Sequence, residues 1–219
     1  MFHKDDHPLE KLSFLTQREN WRTESIYLDD FRLEIAGHPV MESWEDPYMK
    51  KLAEIATGNG GKVLEVGFGM GIAASYIQEY SISEHHIIEA NNEVFRQLQH
   101  FAGSSKVNVI SYLGFWEDIT QQFEDEYFDG ILFDTYPIII EELYTARFSF
   151  FSEAFRLLKP GGVFTHYSGE LTFTDEYTAL LKAANFRNFS SELISVKPPH
   201  DCLYWNEPYL MAPKILKDN

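Results

Sequence analysis

The sequence predicts an α/β fold, a mostly parallel sheet wound by crossover helices, and three observations predict it. From Lys62 onward, short β-rich runs alternate with longer helix-like segments. The stretch "VLEVGFGMGIAASYI" passes from an aliphatic strand through three alternating glycines into a helix. Later, "LKPGG" stops a helix as Pro and Gly do, and the sheet resumes with "VFTHY".

The elements follow in order. Residues before Lys62 are richer in aromatic and acidic side chains, and a helix is expected near Asp46–Pro47, with Asp46 as its cap and Pro47 in its first turn. Strands are expected at Lys62–Val66, His86–Glu89, Asn108–Leu113, Gly130–Phe133 and Gly162–His166, then near Glu192–Val196 and Leu203–Tyr209. Helices are expected at Ile72–Tyr80, Asn92–Gly103, Glu141–Leu158 and Asp175–Ala184. The last two strands have no helix between them and are expected to form an antiparallel hairpin through "PPHD". No repeat, low-complexity tract or Pro/Ser-rich linker divides the chain, so residues 1–61 are read as a cover on a core of residues 62–219, within one domain.

Composition narrows the function. Against 34 Asp and Glu stand 18 Lys and Arg, a formal charge of −16, which opposes binding to nucleic acid or anionic lipid. The single cysteine, Cys202, excludes an internal disulfide, and "MFHKDDHPLEKL" lacks the apolar core of a secretory signal, so a cytoplasmic location is expected. No apolar run is long enough to span a membrane. The histidines form no metal set, and no metal is expected.

Gly67, Gly69 and Gly71 let backbone N–H groups approach a ligand without a Cβ in the way. Their G-x-G-x-G spacing departs from the dinucleotide fingerprint G-x-G-x-x-G. Alone the signal is weak, and its alternative is a tight strand-to-helix turn with no ligand. Glu89 ends the next strand, 22 residues after Gly67, where an acid accepts hydrogen bonds from ribose hydroxyls. Glu65, inside the first core strand, either binds a ligand ammonium or caps neighbouring backbone donors. "GFWEDI" follows the third strand, where Trp116 offers an aromatic face and Glu117 an acceptor to an adenine, unless Trp116 belongs to the core. Asp134 stands at the carboxyl end of "FDGILFD", in the crevice where open α/β sheets bind ligands, or caps the following proline loop. A glycine turn, an acidic strand end and a loop aromatic suit S-adenosylmethionine better than NAD, because no pyrophosphate has to be housed.

From about Trp21 onward the chain resembles the guanidinoacetate N-methyltransferases. The likeness is carried by "GHPVMESWEDPYM", "GGKVLEVGFGMGIAAS", "EHHIIEANNEVF", "GFWED", "FDGILFDTYP", "AFRLLKPGGVFT" and "PPHDCLYW". The resemblance implies a Rossmann-like class I methyltransferase, a seven-stranded sheet with an antiparallel last strand, and methyl transfer from S-adenosylmethionine to a guanidino nitrogen, leaving S-adenosylhomocysteine. It implies cofactor contacts from Trp21, Met41 and Met49 in the cover and from Phe68, Gly69, Met70, Gly71, Ile72 and Ala73 at the turn. Glu89 takes the ribose with Asn91 close by, and Trp116 with Glu117 flanks the adenine. Glu45 and Asp134 match the two acids that hold the guanidino group, while Glu42 is a solvated or capping acid.

A guanidinium is planar, delocalised and protonated at neutral pH, so its nitrogens are poor nucleophiles until a proton leaves. One carboxylate can fix the plane through two N–H groups while a second receives the proton. Asp134 is the expected proton acceptor and Glu45 the clamp, with residues 21–49 as a lid or a permanently packed cover. The chain departs from the family after "KPGGVFTH". There the family places an Asn-Leu-Thr-Ser run whose amides receive the substrate carboxylate, and this chain reads "YSGELTFTDEYT". Ser168, Gly169 and Glu170 thereby become candidate substrate contacts. An acid beside a substrate carboxylate is unfavourable, which leaves open guanidinoacetate, arginine or a related guanidino compound. The expected partner is that small molecule, and the expected assembly is a monomer or homodimer.

Overall fold

The structure, a computed structural model, describes residues 14–15, 17–139 and 146–218. A short helical turn at Arg18–Arg22 leads into three antiparallel strands, β1 (Ile26–Leu28), β2 (Arg32–Ile35) and β3 (His38–Glu42). This small sheet was not anticipated from sequence. Its tightest turn is Ala36–Gly37, and both residues have positive φ, 52° and 77°, which gives the two-residue hairpin the twist its strands require. A further helical turn, Ser43–Glu45, passes directly into α1 (Asp46–Ala56), with Pro47 in its first turn as expected. Tyr48, Met49, Leu52, Ala53, Ile55 and Ala56 give α1 one buried stripe.

The core is a seven-stranded sheet in the order β6 (Val109–Leu113), β5 (Glu84–Glu89), β4 (Lys62–Val66), β7 (Phe128–Phe133), β8 (Leu158–His166), β10 (Tyr209–Leu216), β9 (Asn188–Ser195). The first five strands are parallel, and β10 runs antiparallel to both β8 and β9. Helices α2 (Ile72–Ile77), α3 (Asn92–Ser104), α4 (Trp116–Ile119), α5 (Ala146–Ser149), α6 (Phe151–Leu157) and α7 (Asp175–Ala183) complete the wound architecture. Strand residues alternate between two apolar layers. Val63, Ile87, Leu132 and Val163 join the layer of α1 and the small sheet, while Leu64, Val66, Ile88, Ile131, Phe133 and Phe164 join the layer of α6 and α7.

Three differences from expectation go beyond shifted ends. The expected strand Leu203–Tyr209 lies in the connection between β9 and β10, because Asn206, Glu207 and Pro208 interrupt it; β10 instead runs on through Pro213. The hairpin is antiparallel as expected, but its connection is longer than "PPHD". Strand β8 starts at Leu158, immediately after α6, so "LKPGG" is not a loop. It is an irregular strand start whose register slips between the pairs Phe128↔Leu158 and Gly130↔Val163. The expected helix Glu141–Leu158 is two short helices, and residues 140–145 lie outside the described residues. No helix among the described residues is long and apolar enough to cross a membrane.

Candidate active site

The loops after β4, β5, β6 and β7 converge at the carboxyl ends of the parallel strands, where wound sheets place ligands. They enclose a cavity of about 320 Å³, within the range of small-molecule sites. Of the sequence-predicted residues, Trp21, Met41, Gly67, Gly69, Glu89, Trp116, Glu117 and Asp134 line it.

Gly67 has φ 92°, and a Cβ there would stand 1.9 Å from the Asp134 carbonyl oxygen, so only glycine lets the two strand ends close together. The Asp134 N–H donates to the Val66 carbonyl at 2.8 Å, fixing that approach. At Gly69, φ is 55° and a Cβ would meet the Met41 sulfur at 2.9 Å. Met41 is thus the cover residue that sits on the glycine turn, and its sulfur accepts the Met70 N–H at 3.4 Å. Gly71 caps α2 in a left-handed conformation, with Ile72 and Ala73 following in the helix.

Glu89 is buried at the end of β5. Its carboxylate accepts the Phe68 N–H at 3.1 Å and the Asn91 N–H at 2.7 Å, which ties the first two loops together, and burial raises its pKa. Asn91 does not line the cavity. Its side-chain oxygen caps α3 by accepting the Glu93 and Val94 N–H groups, and its NH₂ donates to the Trp21 and Glu24 carbonyls. Trp21 is held over the cavity in this way and stacks on Tyr136, with ring centroids 5.8 Å apart and planes 4° from parallel.

Glu45 is buried at the start of α1. Its Oε1 accepts the Tyr204 hydroxyl at 2.7 Å and the Glu42 N–H at 2.8 Å. Glu42 serves as the capping acid of that turn and accepts the Trp44 indole N–H at 2.6 Å. Burial, then the nearby Asp134 charge, pushes Glu45 up to about 8. Burial, then Glu65, pushes Asp134 up to about 7. Glu45 does not line the cavity that Asp134 lines, but the two acids come from distant parts of the chain to lie within each other's field.

Several expected contacts stand elsewhere. Glu65 is buried in β4 on His85, away from the cavity wall. Met49 belongs to the α1 core, and Phe68, Met70, Gly71, Ile72 and Ala73 do not line the cavity, although Phe68 packs on Phe101. Ser168 is buried: its N–H donates to the Tyr48 hydroxyl at 3.1 Å and its hydroxyl donates to the Met211 carbonyl at 2.6 Å. The Glu170 N–H donates to Ser168 Oγ, its carbonyl accepts the Met211 N–H, and Gly169 between them has φ 59°. This segment packs against Tyr48, whose hydroxyl lies in the field of Asp134 and Glu45.

Arg18 and Tyr136 are among the lining residues that escaped sequence reasoning. Arg18 grips Glu117 with both guanidinium nitrogens, one at 2.7 Å, and lies 4.5 Å above the Phe115 ring. Tyr136, two residues after Asp134, hydrogen-bonds His38 Nδ1 at 3.1 Å. Its place in "DTYP" was a usable signal; Arg18 had none, since its partner is 99 residues away.

A family model described as guanidinoacetate N-methyltransferase matches residues 16–218. The chain belongs to the guanidinoacetate N-methyltransferase family. The family's description is that of a methyltransferase, which fits S-adenosylmethionine as cofactor. Among curated proteins it is similar to "Protein arginine N-methyltransferase 2" of Yarrowia lipolytica, 32% identical over 70% of this chain and 34% of that one. The namesake protein of Aspergillus oryzae is 36% identical over 67% of this chain and 37% of that one. The chain spans about a third of the length of these two relatives. Its fold resembles spermidine synthase from Thermotoga maritima, at TM-score 0.61 and 19% identity, covering 88% of this chain and 72% of that one. It also resembles M. jannaschii TYW2 in complex with AdoMet, at TM-score 0.60 and 17% identity, covering 89% and 85%. The cavity fits the family's cofactor: Gly67 and Gly69 stand in its lining, a carboxylate faces in from Glu89, and Trp21, Tyr136 and Trp116 supply aromatic wall. Among the described residues no cluster of His, Cys, Asp and Glu could hold a metal ion.

Proposed function

We propose that the chain methylates a nitrogen of a guanidino group, with Asp134 as proton acceptor and Glu45 as the carboxylate that holds the guanidinium plane. The observation that supports this reading is the pair itself: Asp134 lines the cavity, and Glu45, buried outside that lining, lies within the field of Asp134. A guanidinium entering between them replaces lost hydration with charge-assisted hydrogen bonds. When bound, S-adenosylmethionine supplies a methyl group activated by its sulfonium. Glu89 takes the sugar hydroxyls, Trp21 and Met41 close the cavity from the cover, and Trp116 with Arg18-anchored Glu117 borders the base. Glu45, fixed by Tyr204 and the Glu42 amide, holds the acceptor still, and Asp134 receives the proton that methylation releases.

The acceptor is a small guanidino compound such as guanidinoacetate. Arginine is the second reading, favoured by the names of the curated relatives. It is favoured too by the 168–170 segment, where the Ser168 and Glu170 amides already donate internally and so do not offer themselves to a substrate carboxylate. Methyl transfer from labelled S-adenosylmethionine to guanidinoacetate, arginine, agmatine and an arginine-containing peptide separates these classes. Product from guanidinoacetate alone assigns the first, product from arginine or the peptide assigns the second, and no product from any guanidine sinks the proposal.

A further inference from the structure

Strand β8 pairs with β7 in parallel register, Leu132 opposite Thr165 and Phe133 opposite His166, so Tyr167 comes next to Asp134. The Tyr167 N–H donates to the Phe133 carbonyl at 3.0 Å, which carries the pairing one residue past the end of the ladder. Residues paired across neighbouring strands point to one face, roughly 5 Å apart. Asp134 and Tyr167 therefore stand side by side at the carboxyl ends of their strands, on the face that α1 covers, where Tyr167 packs against the α1 layer. There the Tyr167 ring meets the Tyr48 ring edge-on, with centroids 5.3 Å apart and planes at 83°. Tyr48 lies in the first turn of α1, which Glu45 immediately precedes. One side chain from β8 thus borders both acids.

The two tyrosine hydroxyls differ in what they do. That of Tyr48 donates to the Met211 carbonyl at 2.9 Å and accepts the Ser168 N–H at 3.1 Å. That of Tyr167 is fully buried, and no group among the described residues hydrogen-bonds to it. A buried hydroxyl in that condition is a cost to the fold, and it calls for a reason outside the fold. Burial, then Glu45, Tyr48 and Asp134, hold the phenol well above its ordinary pKa, so it stays neutral and keeps its lone pairs. A guanidinium is all donor, with N–H groups around the whole edge of its plane. Glu45 Oε1 already accepts two hydrogen bonds from within the protein, from Tyr204 and from the Glu42 amide. A third acceptor beside the acids therefore adds to their grip on such a group. We infer that Tyr167 is a substrate-binding residue, whose hydroxyl accepts a guanidinium N–H next to Asp134. This deepens the guanidino reading above and rests on it.

The experiment compares wild type with Y167F in two measurements. In thermal melts of the free protein, Y167F is expected to unfold at the wild-type temperature or above, because it removes a hydroxyl that nothing in the fold engages. Y48F strips a hydroxyl that ties α1 to β10, so it should melt lower and calibrates the comparison. Guanidinoacetate, arginine, agmatine and an arginine-containing peptide are then titrated by calorimetry into protein saturated with S-adenosylhomocysteine, where no turnover intervenes. Y167F is expected to bind whichever guanidine the wild type binds about tenfold to a hundredfold more weakly, the value of one hydrogen bond to a charged group. Its affinity for S-adenosylhomocysteine should be unchanged. A lowered melting temperature, an equal loss of S-adenosylhomocysteine affinity, or a guanidine affinity like that of the wild type overturns the inference and leaves Glu45 and Asp134 as assigned. A wild-type protein that binds none of the four guanidines overturns the guanidino reading itself, and the inference with it.

Discussion

The Tyr204 hydroxyl donates to Glu45 Oε1 at 2.7 Å, joining residues 159 positions apart and closing the acidic end of the site. The ring of Tyr204 also lies 5.8 Å from that of Trp44, one residue before Glu45. The loop between β9 and β10 therefore holds Glu45 in place. Because this hydrogen bond lowers the Glu45 pKa against the effect of burial, its loss leaves Glu45 more often protonated. In Y204F, kcat/KM for the guanidino acceptor is expected to fall by about tenfold to a hundredfold, the value of one hydrogen bond to a charged group. S-adenosylmethionine affinity, read by calorimetry, should stay within about twofold, and loss of cofactor binding would place Tyr204 elsewhere in the mechanism.

Asp134 and Glu45 are assigned different work, and conservative variants distinguish them. D134N is expected to lower kcat by about 10²–10⁴ with cofactor affinity largely intact, as for removal of a general base. E45Q keeps one acceptor but loses the charge, so acceptor KM is expected to rise along with the fall in kcat. Steady-state kinetics on the guanidine that gives product decides between them, and substantial turnover by D134N would end its assignment.

The pair should also leave a signature in stability. Folded, Asp134 and Glu45 release protons near 7 and 8, against 3.8 and 4.5 as ordinary carboxyls. Between those limits the unfolded chain has lost protons that the folded chain keeps, so stability falls as pH rises from about 4 to 8. Thermal melts of the free protein are expected to show this decline, and D134N to show a shallower one. Activity should move the opposite way, rising through pH 7 as Asp134 becomes able to accept a proton.

At Gly67, alanine would have to sit at φ 92° with its Cβ on the Asp134 carbonyl. G67A is expected to lose more than about 1–3 kcal/mol, the range for strain alone, measured by urea unfolding. Gly103, with nothing near its would-be Cβ, is the control, and G103A should be stable.

The parts of the site that were legible share a local cause. Alternating aliphatic strands, a glycine turn and acids at strand ends announce themselves within a few residues, so β4, Gly67, Glu89 and Asp134 all stood out. Tertiary packing hid the rest. Nothing near Arg18 points to Glu117, and Tyr204 lies in a run that reads as strand until Pro208 cuts it. β10 forms although it contains Pro213, a residue with no N–H to give a sheet. Glu65 illustrates the opposite error: an acid beside a glycine turn invites a ligand, but β5 supplies His85 as its partner.

Asn91 uses its two ends on two structures, starting α3 with its oxygen and hanging the Trp21 segment from its NH₂. Fraying at the front of α3 and detachment of the cover are therefore one event. Amide hydrogens at Glu93 and Val94 should exchange in step with those around Trp21, and whatever fills the cavity should slow both together.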